Sequence, residues 1–138
     1  CKGYYADITR TVAVGDISEE FANVFRIVRK ANEAAAAAAR PGMTGEELDA
    51  VARKIIDEAG YGAYFTHRLG HGVGLDVHEE PYIVAGNEAP LLAGNVFSNE
   101  PGIYLPGRFG VRLEDVLYLR EDGAECLTGL THDILTTE

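Results

Sequence analysis

Between His67 and Pro81 the chain reads His-Arg-Leu-Gly-His-Gly-Val-Gly-Leu-Asp-Val-His-Glu-Glu-Pro, and no other stretch limits its folding so tightly. Glycine costs a helix interior roughly 1 kcal/mol per residue, and it recurs here at 70, 72 and 74. His67 and His71, although four apart, therefore do not read as neighbours on a helical face. The same glycines let the backbone turn sharply and come close to a ligand or another strand. Three of the four histidines fall in this stretch, as His67, His71 and His78. Imidazole is the side chain best suited to holding a metal or carrying a proton near neutral pH. One explanation is a glycine-rich loop with solvated histidines. Their clustering, with acidic strand-like segments downstream, points instead to a metal site.

Around that stretch the 138 residues suffice for one domain with its own core. A net charge of -10 argues against nucleic acid or an anionic membrane as partner, and bound cations would offset part of it. No apolar run reaches the length of a membrane span. Cys1 and Cys126 form no disulfide framework, so a reducing, cytoplasmic setting is expected. The chain opens at Cys1-Lys2-Gly3-Tyr4-Tyr5, without Met and inside a strand-like segment, and reads as a piece of a longer polypeptide.

Residues 4–14 are rich in aromatic and β-branched types and predict a strand, with Asp7 anomalous inside it. Pairing with Arg10 would be the ordinary explanation of that carboxylate. Ser18 predicts a helix cap, and Phe21, Val24, Phe25 and Val28 a buried stripe, with Pro41-Gly42 as the stop. Thr44-Gly-Glu-Glu47 fits a capping box for a second helix. Leu48, Val51, Ala52, Ile55 and Ile56 line its inner face, and Gly60 closes it. Arg29, Lys30, Arg53 and Lys54 read as solvated outer charges, and His132 as a surface residue. Strands are expected over 96–104, interrupted at Pro101-Gly102, over 109–119, and briefly at 125–127. Gly107-Arg-Phe-Gly110 would turn between the first two. Two long helices covering an antiparallel sheet make an α+β arrangement.

Asp7, His71, Glu100 and Glu114 are polar residues in or beside apolar strands. Buried carboxylates need a cation or a strong partner. Three carboxylates and one imidazole suit Mn, Co, Fe or Zn as divalent ions.

Four ordered motifs carry a family likeness. Asp7-Ile-Thr-Arg-Thr11, Gly70-His71-Gly72 through His78-Glu79, Asn99-Glu100-Pro101-Gly102 and Arg112-Leu113-Glu114-Asp115 resemble those of the pita-bread metallopeptidases. The wording around His71 and Glu100-Pro-Gly-Ile-Tyr104 is most similar to the Xaa-Pro dipeptidase (prolidase) and Xaa-Pro aminopeptidase branch. The resemblance implies a partial pita-bread (creatinase/aminopeptidase-like) fold, with residues 1–138 as the C-terminal part of the catalytic domain. It implies that Asp7 and Glu114 bridge two divalent ions and that His71 and Glu100 complete the shell of one. The family's further Asp ligand would precede Cys1, so one ion or none is expected in this stretch alone.

The implied activity is hydrolysis of the bond between an N-terminal residue and proline by a metal-bound hydroxide. Glu100 would shuttle the proton, His78 would donate to the substrate carbonyl, and His67 would contact the substrate near its leaving side. Arg112 would orient Glu114; Tyr104 would do likewise, or merely pack. A capped turn beside Glu79 is the plainer role for His78. The expected partner is a small peptide, and a homodimer is left open. The alternatives are a non-hydrolytic pita-bread peptide-binding module and a creatinase-like amidinohydrolase.

Overall fold

The computed structural model describes residues 2–137. It begins with a short strand, β1 (Val12–Val14), followed by two helices, α1 (Glu19–Ala38) and α2 (Gly45–Glu58). Ser18 Oγ accepts from the Phe21 amide at 3.1 Å, and Glu19 and Glu20 lie in the first turn, where the helix dipole favours negative charge. α2 opens on a reciprocal capping box. The Glu47 amide donates to Thr44 Oγ1 (3.1 Å) and the Thr44 amide to Glu47 Oε2 (2.9 Å). It ends where Gly60 takes φ +85° and the amides of Gly60 and Tyr61 reach back to the carbonyls of Asp57 and Ile56, the helix-ending geometry glycine supports.

Eight further strands follow: β2 (Gly70–Gly72), β3 (Glu79–Ile83), β4 (Val96–Asn99), β5 (Gly102–Leu105), β6 (Phe109–Arg112), β7 (Asp115–Arg120), β8 (Gly123–Cys126) and β9 (Leu135–Thr137). Five of them form an antiparallel sheet in the order β3-β2-β4-β7-β8. β5 and β6 make a separate hairpin, and β1 pairs with β9 in parallel. Val24, Phe25, Val28, Ala31 and Ala35 from α1 and Leu48, Ala52 and Ile56 from α2 form one buried cluster with Phe97, Ile103 and Leu117 of the sheets and with Leu113 between β6 and β7. Phe21, Val51 and Ile55 are only half-buried, at the edge of that stripe. The α+β arrangement with both helices over an antiparallel sheet is as expected. Among the described residues no helix is long and apolar enough to cross a membrane. Cys126 is a free, exposed thiol, and Cys1 lies outside the described residues.

Four expectations need correction. The strand expected over 4–14 is mostly not in a ladder: only 12–14 pair, with an isolated bridge between Thr9 and Glu114. The preceding segment is extended but is held by scattered contacts, such as the Tyr5 amide to the Gly74 carbonyl at 2.9 Å. The interruption expected at Pro101-Gly102 is there, but the chain changes sheets at it, and the strand expected over 109–119 also breaks after Arg112 and changes sheets. Asn99 pairs with Asp115 in the large sheet, whereas Gly102 pairs with Arg112 in the hairpin. Pro101 has no amide to donate, so the ladder cannot run through it.

Arg53 is not a solvated outer charge. Its guanidinium forks onto Asp49 (Nε–Oδ2 2.8 Å, Nη2–Oδ1 3.0 Å) and donates to the carbonyls of Phe65 and His67 at 2.9 and 3.0 Å. Asp49 is buried and also accepts from the Leu69 amide at 2.9 Å. The pair on α2 therefore clamps the chain from Phe65 to Leu69, just before β2. His132 is likewise not a bare surface group, since its Nε2 sits 2.9 Å from Asp115 Oδ2.

Removing Arg53, which is half-buried, leaves the buried Asp49 charge with only the Leu69 amide. Arg53→Ala is therefore expected to destabilise the fold by roughly 3 kcal/mol in denaturant unfolding. A loss below about 1 kcal/mol, the range of exposed pairs, would contradict the clamp.

Candidate metal centre

The site forms where four separated segments meet at one end of the large sheet. β2 threads between β3 and β4 at a distance only glycine permits. A Cβ on Gly70 would lie 1.8 Å from the Ser98 carbonyl oxygen, and one on Gly72 would lie 2.3 Å from that of Glu80. His71, between them, is pressed into the interior and is 2% exposed. Its amide donates to Ser98 Oγ (3.0 Å), and its Nδ1 lies 3.0 Å from the Gly72 carbonyl. A carbonyl can only accept, so Nδ1 carries the hydrogen and Nε2 presents a lone pair. That lone pair faces carboxylates: Glu100 Oε1 at 3.1 Å and Asp7 Oδ2 at 3.9 Å.

Glu100 and Glu114 stand where strands leave one sheet for another, Glu100 between β4 and β5 and Glu114 between β6 and β7. The Glu100 amide donates to the Leu69 carbonyl (2.9 Å), and its Oε1 accepts from Ser98 Oγ (3.1 Å). Glu114 is 2% exposed. Its Oε2 accepts from Thr9 Oγ1 at 2.6 Å, and its backbone exchanges bonds with that of Thr9. Arg112 Nε donates to the same Thr9 hydroxyl (3.1 Å) and lies 3.6 Å from Glu114 Oε2 and 4.0 Å from Glu100 Oε2.

Asp7 is one-third exposed, on the extended segment that the Thr9 bridge ties down. Arg10, the ordinary partner considered for Asp7, goes elsewhere. It spans Asp115 Oδ1 (2.5 Å) and the Glu114 carbonyl (2.7 Å).

Ligand atoms of Asp7, His71 and Glu114 all lie within 4.8 Å of one another, and Glu100 touches His71 from the side. Burial, with the Glu100 and Asp7 charges, pushes Glu114 up to about 7, against the Thr9 hydroxyl and Arg112, which pull it down. Crowded carboxylates facing an imidazole lone pair are the donor set of a divalent cation, and the residues fit one.

The remaining candidates lie around this cluster. His78 is exposed, and its ring packs edge-on against that of His71, with centroids 4.2 Å apart. His67 stands apart from the cluster, on a cleft of about 660 Å³ shared with Arg68, Tyr82, Val84, Glu100 and Arg112. Its Nδ1 bonds the Arg68 carbonyl (2.7 Å), which leaves Nε2 to accept from the Tyr104 hydroxyl at 3.0 Å. Tyr104 therefore orients His67 and does not merely pack. Sequence reasoning missed Thr9, Asn32, Asp49, Ser98 and Asp115 as supporting residues. The available signal was polarity on an apolar stripe: Asn32 follows Val28 by four, and Asp49 adjoins Leu48.

This geometry meets its likeness among known proteins. The family model for metallopeptidase family M24 matches residues 1–121. A probable dipeptidase PepE of Mycobacterium tuberculosis is 49% identical over 133 residues, covering 96% of this chain and 36% of that protein. The Xaa-Pro dipeptidase of Lactobacillus helveticus is 52% identical over 132 residues, again 96% of this chain and 36% of that protein. The crystal structure of the X-Pro aminopeptidase from Thermotoga maritima superposes with a TM-score of 0.96 at 49% identity, over 99% of this chain and 39% of that one. The chain thus spans a little over one-third of the length of the relatives it matches. From its sequence and from its pita-bread architecture alike, the chain belongs to metallopeptidase family M24.

Proposed function

We propose that the protein is a divalent-metal-dependent exopeptidase that hydrolyses the bond between an N-terminal residue and proline. The observation that carries this reading is the convergence of Asp7, His71 and Glu114, with Glu100 on His71, beside an open cleft. The names of the relatives, Xaa-Pro dipeptidase and X-Pro aminopeptidase, support the substrate class. The ligand convergence weighs against a metal-free peptide-binding or creatinase-like role.

Asp7, His71, Glu100 and Glu114 would hold the ion, and their chemistry suits manganese or cobalt as well as zinc or iron. When bound, the ion supplies Lewis acidity that makes water a nucleophile near neutral pH and polarises a carbonyl. The protein's own groups do the rest. Glu100, with one oxygen already accepting from Ser98, takes the proton from the attacking water and returns it to the leaving proline nitrogen. His78, exposed beside His71, donates to the oxygen of the scissile carbonyl as charge develops there. Arg112 steadies Glu114 through Thr9. His67, oriented by Tyr104, contacts the substrate within the cleft, and Tyr82 and Val84 offer an apolar wall to the proline ring.

The complete protein with Mn(II) or Co(II) is expected to release proline from Xaa-Pro substrates, to lose activity on chelation and to regain it on metal return. Glu100→Gln should lower kcat by about a thousandfold, the middle of the range for general acid–base groups. Cleavage that survives exhaustive chelation would refute the reading.

A second outcome concerns pH. Without metal, Glu114 titrates near 7 in the fold against an ordinary 4.5, so the fold favours its neutral form. Its contribution to stability is fully present below about 4.5 and is lost as pH rises through about 7. The loss is on the order of 3 kcal/mol. In unfolding at pH 5 and pH 8, metal-free Glu114→Gln should therefore lose less stability on going to the higher pH than the parent does. Equal losses would show that the carboxylate is not held neutral.

A further inference from the structure

Asn32 sits two-thirds of the way along α1, on the stripe that should carry an apolar residue, and is completely buried. Its Nδ2 donates to the carbonyl of Asn99 at 3.0 Å and to that of Leu113 at 3.4 Å. These are the carbonyls immediately before Glu100 and Glu114. Asn99 returns the contact, donating from its own Nδ2 to the Asn32 carbonyl at 2.9 Å.

Both carbonyls lie where the chain leaves the large sheet, the turning points that carry the two glutamates. Regular ladder pairing stops at Asn99 on one strand and at Asp115 on the other. The hairpin ladder resumes only at Gly102 and Arg112. The Asn32 amide bridges that gap, which the backbone crosses with one long bond, from the Leu113 amide to the Pro101 carbonyl at 3.4 Å.

The arrangement is poor if packing were its only purpose. The Oδ1 atoms of both Asn32 and Asn99 are buried without a hydrogen-bond partner, and a buried acceptor left unpaired costs free energy. A leucine would remove that unpaired oxygen from the stripe, but it would take the donor from the Asn99 and Leu113 carbonyls. A local rule broken in this way points to a demand elsewhere, and the adjoining demand is the spacing of Glu100 and Glu114.

We propose that Asn32 is a positioning residue of the metal centre. Its amide fixes the separation of the Glu100 and Glu114 backbones, and so presets two carboxylates for one ion. Asn32 touches neither ion nor substrate, and it acts through the peptide units that precede the ligands. This inference rests on the reading of the cluster as a divalent-cation site.

The test uses the complete, metal-stripped protein and Mn(II) alone as the probe, with thermal unfolding followed in parallel. Asn32→Leu keeps the branched shape, at a larger volume, and removes the donor. It is expected to retain the fold and to bind Mn(II) 10- to 100-fold more weakly, as when an outer hydrogen-bond partner of a ligand is lost. Ile56→Val, a buried change on α2 away from the ligands, serves as the control that lowers stability without moving the affinity. Should Asn32→Leu fail to fold, Asn32→Ala carries the same comparison. A variant that melts earlier yet binds Mn(II) as tightly as the parent would overturn the positioning role and leave the metal site intact. A parent that binds no divalent ion would instead overturn the site itself, and this inference with it.

Discussion

Mutual repulsion among carboxylates is the constraint on which the rest of the site depends. Two unit charges 4 Å apart interact with about 4 kcal/mol at the effective dielectric of a protein's outer layers. Domains are stable by only about 5–15 kcal/mol, so packing alone does not hold Asp7, Glu100 and Glu114 all ionised around His71, and Glu114 is pushed up to about 7. Each is held by something that does not depend on its own charge. Glu100 is tied through its amide to the Leu69 carbonyl, and Glu114 through its backbone to Thr9. Asp7 rides on the segment that this bridge fastens. A divalent cation would reverse the sign of the problem, turning repulsion among these carboxylates into attraction.

The glycines matter to this balance through space, not through unusual dihedrals. Gly70 and Gly72 allow β2 to lie against its neighbours so closely that the carbonyls of Ser98 and Glu80 fill the volume of a side chain. His71 is thereby inserted from a buried strand with its ring orientation fixed by the Gly72 carbonyl. An imidazole on a flexible loop would have to give up rotamer freedom on binding an ion. Here that ordering has already happened on folding.

Much of this was legible in the sequence, and the parts that were not share a cause. Ser18, Thr44, Glu47 and Gly60 are local signals acting over three or four residues, and the helix ends fall where they indicate. The four candidate ligands were readable as polar residues in apolar surroundings. The breaks after Asn99 and Arg112 were less so. Propensity describes a single strand and knows nothing of a chain that changes sheets, although Pro101 marked one of the two places. Arg53 and His132 were misread because charge on a helix face or in a polar tail usually means solvent. Their partners, the buried Asp49 and Asp115, are distant or outwardly unremarkable in the sequence.

Asp115 shows how far the support extends beyond the candidate ligands. It is 1% exposed and sits between Arg10 and His132, so it joins the segment that carries Asp7 to the stretch leading into β9. Arg10 reaches the Leu130 carbonyl as well, and β1 runs parallel to β9 just beyond. The two ends of the described chain are thus fastened to each other next to Glu114. The candidate ligands are nonetheless not equally fixed. His71 and Glu114 are each 2% exposed, His71 on a strand paired on both sides and Glu114 bridged to Thr9, whereas Asp7 is one-third exposed. Its neighbours Tyr5 and Ile8 leave large apolar surfaces in solvent. Preorganisation therefore grades across the site, from a rigid His71–Glu114 side to an Asp7 side anchored mainly by Thr9 and Arg10. An ion would gain most of its fixed geometry from the first, while the second is where the fold leaves most freedom to adjust to it.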